Sequence, residues 1–253
     1  MRRGILVAAV LALVLAGPAR AAHEAPADSA GALPHRESLV SDHDVALAVG
    51  ATAGVALLGL LDRHVAMEVR ESNSDFAQGL SRDAERAGNP AMILPLLGVT
   101  WVAGKVSGHS GVSSSSLRIA GGLLATGVVA GGMKFVTGRS RPYQAPGDPD
   151  DFQAFSGNTS FPSGHTSVAF SLASGIDHET SAHWVPFVVY PLAGLVGWSR
   201  LRDNDHWASD VLAGALVGTW TTHKFQMLVR GNKPQAALTL EIAPGAAAAT
   251  YRF

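Results

Sequence analysis

No cysteine occurs among the 253 residues, which excludes disulfide cross-links, thiolate metal sites and a cysteine nucleophile. Charge is sparse too: Asp, Glu, Lys and Arg together make up 15% of the chain, only four residues are lysine, and the formal net charge is −1. Without a basic excess or a Lys/Arg-rich face, a nucleic-acid partner is excluded. Long hydrophobic runs are missing as well. The uncharged apolar segments are 11 to 17 residues long, short of the ~20 that a helical membrane span requires.

What the chain does have is apolar content, at 47%, arranged in blocks. Met1-Arg2-Arg3 is followed by the charge-free run Ile5–Ala16 and by the small residues Ala19-Arg20-Ala21. A positive start, a short apolar middle and a small-residue cleavage site describe a secretory signal peptide over residues 1–21. Residues 22–43 are rich in Ala, Pro and Ser and read as an extended lead-in. The expected location is therefore exported, either periplasmic or extracytoplasmic and membrane-associated, with an integral membrane protein as the alternative.

Six apolar segments follow: Val45–Leu61, Ala91–Gly104, Ile119–Met133, Thr166–Ile176, Trp184–Trp198 and Val211–Thr222. Most are too long for single strands, so their order predicts an all-α helical bundle of about six core helices within residues 44–230. Between the first two, Asp62–Pro90 reads as one or two charged amphipathic helices that stop at Gly88-Asn89-Pro90. KVSGHSGVSSSS, which contains His109, reads as a Gly/Ser loop. In the tail, residues 231–253, partial alternation over Ala237–Ile242, a Pro244-Gly245 turn and Ala249–Phe253 suggest a small C-terminal β-hairpin.

The polar residues gather at the segment ends. The third segment ends in Lys134, Arg139 and Arg141-Pro142, and the fourth opens with Pro162-Ser163-Gly164-His165. The fifth ends in Ser199-Arg200, and the sixth opens with His206 and Asp210. In an antiparallel bundle these four ends meet. They would bring together cations, two histidines, a carboxylate and a helix N-terminus, whose free N–H groups and positive dipole suit an anion. Phosphoryl transfer calls for such a set, because its transition state spreads charge over three oxygens. His206 and Asp210, four apart, would share a helix face, so the carboxylate could orient the imidazole as a nucleophile. His165 could protonate the leaving oxygen and then activate water. Taken singly, each residue also fits a plainer role: Lys134, Arg139 and Arg141 complementing a helix dipole, His206 and Asp210 forming a surface pair, Ser163 or Thr166 capping a helix. His178 and His183 lie five apart, the wrong spacing for a helical zinc pair.

Together, Lys134-x6-Arg141-Pro142, Pro162-Ser163-Gly164-His165 and Ser199-Arg200-x5-His206-x3-Asp210 resemble the three-part motif of the type 2 phosphatidic acid phosphatases. The resemblance runs from about Val45 to Phe225. It implies a phosphate bound by Lys134, Arg141, Ser163, the Gly164 amide and Arg200. It also implies a nucleophile at His206 paired with Asp210, a leaving-group acid at His165, and no metal or other cofactor. The expected activity is an exported phosphatase that hydrolyses a phosphomonoester or diphosphate, lipid-borne or small, through a phospho-histidine. The alternatives are a vanadate-dependent haloperoxidase, which uses the same anion pocket, and a non-catalytic exported helical protein. The oligomeric state is not legible.

Overall fold

The fold is described from a computed structural model and covers residues 42–71, 74–231, 238–243 and 246–251. The expected signal peptide and all but the end of the lead-in lie outside the described residues. Eight helices follow one another: α1 Asp42–Gly59, α2 Asp62–Glu71, α3 Asp75–Ala87, α4 Pro90–Val106, α5 Ser110–Thr137, α6 Gly164–Glu179, α7 Pro186–Arg202 and α8 Ala208–Gly231. Strands β1 Leu238–Ala243 and β2 Ala246–Tyr251 pair antiparallel, Leu238 opposite Tyr251 and Ala243 opposite Ala246. The chain is an all-α bundle, with each of the six apolar segments in its own helix and Asp62–Pro90 split into two.

Local chemistry explains the helix ends. Ser74 accepts a hydrogen bond from the Ala77 amide and caps α3, and Asn89 does the same for Ala91 ahead of Pro90 at the start of α4. Gly138 ends α5 with φ 55, the left-handed region that glycine enters at no steric cost. A Cβ there would also lie 1.8 Å from the Gln153 carbonyl oxygen, so this turn tolerates no side chain.

The Gly/Ser stretch before Ile119 is the main departure from expectation. α5 begins at Ser110, so Ser113 to Ser116 are helical. Ser113 and Ser116 donate to the carbonyls of Ser110 and Val112, and Thr100 of α4 lies 2.9 Å from the Ser116 hydroxyl. Small serines let α4 and α5 approach closely, an advantage that outweighs their weak helix propensity. At 28 residues, α5 is long and apolar enough to cross a membrane, so the expectation that every segment falls short fails for this helix. The joined pairs α1–α2 and α3–α4 also meet the test, bent by 61° and 54°.

α6 is the central helix, packed on α5, α7 and α8. One side of it meets an apolar core that includes Ile93, Leu97, Ile119, Leu123, Ile176 and Val189. Its other side faces α8 through small polar groups, with Ser171 bonded to Thr222 at 2.6 Å. Here the backbones nearly touch, since a Cβ on Gly218 would lie 2.2 Å from the Ser167 carbonyl oxygen. Gly218→Ala is therefore expected to lower stability by about 1–3 kcal/mol or more, read as a fall in melting temperature. An unchanged melt would contradict this packing. Many outward side chains are apolar, among them Val99, Val106, Leu124, Val128 and Phe187, each at least 60% exposed.

The helix directions set up the site. Asp44 at the start of α1 pairs with Lys224 near the end of α8, 2.7 Å apart. At the opposite end, the α1–α2 junction at Asp62 and the ends of α5 and α7 meet the starts of α6 and α8.

Candidate active site

Lys134 stands in the last turn of α5, where its Nζ donates to the carbonyls of Thr159 and Pro162 at 2.5 and 2.6 Å. These contacts hold the ammonium against the segment that leads into α6. Ser163 is fully buried at the N-cap of α6, and its amide donates to the Asp210 carbonyl at 2.9 Å. Its hydroxyl makes no capping bond but accepts from Thr166 Oγ1 at 2.9 Å. The hydroxyl proton of Ser163 thus remains free to donate. Gly164 opens α6, and a Cβ added to it would meet only Lys134 Cε, at 3.6 Å.

Arg141 and Arg200 arrive from different elements and share a carboxylate. Asp205 accepts from Arg141 Nη1 at 3.3 Å and from Arg200 Nη1 at 3.0 Å. Arg200, only 2% exposed, also donates to Glu85 of α3 at 3.2 Å and to Asp203 at 2.8 Å. These acids hold both guanidinium forks in place before any anion arrives.

His206 is 3% exposed, and its backbone amide donates to the Arg200 carbonyl at 3.3 Å. The expected shared helix face with Asp210 does not form, because α8 starts at Ala208 and His206 lies in the turn before it. The Asp210 carboxylate reaches back to accept from the Trp207 amide at 2.9 Å, capping the helix and holding the turn out of it. The pairing survives in a looser form: His206 Nδ1 is 3.6 Å from Asp210 Oδ2, within ion-pair range but beyond hydrogen-bond length. Burial pushes the His206 pKa below its ordinary 6.5, Asp210 opposes the shift, and the nearby charges of Lys134 and Arg141 add to it. Burial likewise lowers His165, helped by the charge of Arg200.

All eight residues expected from the sequence therefore gather at one end of the bundle. What the sequence reading missed lies beneath them. Arg139, 3% exposed, donates to Asp210 at 2.6 Å, to Asp62 at 2.8 Å and to Ser209 at 2.7 Å. Asp62 also accepts from the Ser209 amide at 2.8 Å, and Ser160 donates to Asp210 at 2.5 Å. Arg139 is thus no dipole partner at a helix end but the centre of a buried ionic network. No signal was available: in Gly138-Arg139-Ser140-Arg141 the arginines sit two apart, and an extended backbone sends such residues to the same side. Arg139 does form an isolated antiparallel bridge with Phe152. His178 takes no part in the site and lies 3.0 Å from His223.

The PAP2 superfamily model matches residues 115–230, the stretch that carries all three clusters. Over these residues the chain is similar to the PAP2 superfamily. Over 136 residues the chain is 33% identical to lipid A 1-phosphatase of Porphyromonas gingivalis, covering 51% of this chain and 28% of that protein. It is 35% identical to lipid phosphate phosphatase 1 of Arabidopsis thaliana over 127 residues, 38% of this chain and 39% of that one. The chain thus spans well under half the length of both relatives. Two crystal structures share the PAP2 fold: Aquifex aeolicus LpxE, with TM-score 0.52 and 20% identity, covering 65% of this chain and 94% of that one, and a transmembrane PAP2-type phosphatidylglycerolphosphate phosphatase from Bacillus subtilis, with TM-score 0.53 and 18% identity, covering 74% and 97%.

Proposed function

We propose that this chain hydrolyses a phosphate ester carried by a lipid, without a metal, through a phospho-histidine. The observation that carries the reading is the convergence of Lys134, Arg141, Arg200 and Ser163 around the buried His206. Fixed cations and a helix N-terminus suit the three equatorial oxygens of the transferring phosphoryl group. His206 attacks phosphorus through Nε2, and the nearby Asp210 carboxylate stabilises the charge that develops on the ring. His165 gives its proton to the leaving oxygen. It then takes one from the water that cleaves the phospho-histidine.

The lipid substrate is supported by the names of the relatives and by the apolar outer faces of α4, α5 and α7. The same faces, with the length of α5, support contact with a bilayer, and the Met1–Ala21 pattern supports an extracytoplasmic location. Retention of the protein in membrane pellets after alkaline carbonate extraction tests the bilayer contact.

The activity test is hydrolysis of phosphatidic acid and undecaprenyl diphosphate by the purified chain in the presence of EDTA. Turnover that survives EDTA is expected, with inhibition by vanadate as a phosphoryl transition-state mimic. Loss on chelation would defeat the metal-free mechanism.

The pH profile follows from the two histidines. Attack requires neutral His206 and leaving-group protonation requires charged His165, so kcat/KM rises as the first loses its proton and falls as the second does. Both pKa values lie below 6.5, so the bell is expected on the acid side of that value. His165→Asn is expected to erase the falling limb. A wild-type profile that still climbs above pH 6.5 would remove His165 from the acid role.

A further inference from the structure

Four outward side chains of α5, Leu117, Leu124, Val128 and Phe135, are each more than half exposed. Their spacings of seven, four and seven residues put them on one line along the helix. At the helical rise this line runs for about 27 Å, close to the ~30 Å of a bilayer's hydrocarbon core. It ends at Phe135, beside Lys134, whose ammonium is held against the lead into α6 by the carbonyls of Thr159 and Pro162.

A second aromatic ring enlarges the end of the line. Phe155 lies edge-on to Phe135, with ring centroids 5.0 Å apart, and is itself more than half exposed. Its backbone has φ 62, the left-handed region, where a bulky residue is an outlier and glycine or asparagine fits readily. The turn around it enforces that backbone. The Phe155 amide donates to the Phe135 carbonyl at 3.1 Å, the Gln153 amide to the Gly138 carbonyl at 3.0 Å, and the Ser156 amide to the Gln153 carbonyl at 3.0 Å. A strained backbone that carries a phenyl ring into the open does not serve the core; it points to a use outside the protein.

We propose that Phe135 and Phe155 form an interfacial anchor. The pair enters a bilayer at the boundary between acyl chains and headgroups, and so holds the anion site level with the lipid phosphates. The partner is the bilayer itself, because the pair continues the apolar line of α5, whose length matches the hydrocarbon core, and phenyl rings seat well at that boundary. The proposal rests on the lipid-phosphatase reading and adds to it how the phosphate is presented. A small soluble phosphate ester reaches the site without the anchor, whereas a lipid held in a bilayer needs it.

The chain has no cysteine, so Phe155→Cys accepts a single thiol-reactive fluorescent label. With the full chain in phosphatidylcholine vesicles that contain phosphatidic acid, lipids carrying a nitroxide near the headgroup are expected to quench the label, and iodide is not. Phe155→Asn keeps the left-handed turn and is expected to melt no lower than the unaltered chain. On phosphatidic acid in the same vesicles its kcat/KM falls about tenfold, the scale of one aromatic side chain leaving an apolar site, while p-nitrophenyl phosphate turnover stays within about twofold. Phe155→Trp recovers the vesicle activity. A label open to iodide and untouched by the nitroxide lipids would overturn the anchor and leave the phosphatase reading in place. So would a clear fall in the melting temperature of Phe155→Asn, equal losses on both substrates, or undiminished vesicle activity. If the unaltered chain hydrolyses neither substrate, the phosphatase reading fails, and the label decides the anchor by itself.

Discussion

His206→Ala is expected to lower kcat by roughly 10⁴-fold or more, the scale of losing a covalent nucleophile. Binding of a phosphonate analogue is expected to change by less than about tenfold, because Lys134, Arg141 and Arg200 hold the anion independently and His206 bonds to phosphorus only as the reaction proceeds. Single-turnover kinetics and calorimetry separate the two effects. Labelled phosphate supplies a second readout. With p-nitrophenyl phosphate the leaving group needs little protonation, so His165→Asn is expected to release a burst of nitrophenol and then stall with an acid-labile label on the protein. The double variant with His206→Ala should carry no label. Full activity of His206→Ala, or label that persists in its absence, would sink the nucleophile assignment.

Arg139→Met is expected to produce the largest loss of stability among the site variants. Its guanidinium is the cation between Asp62 and Asp210, both fully buried, at 2.8 and 2.6 Å. Its removal leaves two carboxylates in a water-poor interior, a loss of about 3–5 kcal/mol. For a chain of this size that corresponds to a fall in melting temperature of roughly 6–20 °C. Arg139→Lys is expected to recover only part, since one ammonium cannot span both carboxylates and the Pro149 carbonyl that the guanidinium also reaches. Asp62→Asn, costly by itself, is expected to cost less in the Arg139→Met background, because there it removes a stranded charge instead of breaking a pair. Additive losses in that double-mutant cycle would argue against the network. Turnover should fall as well, since Asp210 loses the contact that fixes it near His206. Arg139 is thus expected to act as a positioning residue for the proposed pair His206 and Asp210.

Most of the architecture could be read along the chain because each helix writes its own apolar segment, and its ends are marked by Gly, Pro, Ser or Asn. Ser110–Arg118 was the exception, since serine runs look like loops unless a close helix neighbour favours small side chains. The three clusters were legible for a related reason. The residues of each cluster sit at fixed spacings on their own elements, and the alternation of helices sends those elements to the same end.

Three features belong to the tertiary structure alone. Asp62 lies 148 residues from Asp210, and only the fold puts one arginine between them. Asp205 looks like an ordinary loop acid until Arg141 and Arg200 meet on it. His206 and Asp210 were expected to share a helix face by spacing, yet the capping bond from Trp207 starts α8 two residues later and leaves the pair 3.6 Å apart. The sequence by itself determined the bundle and which polar residues gather at one end of it. The tertiary structure decided what holds them, because buried charges need partners and those partners come from distant parts of the chain.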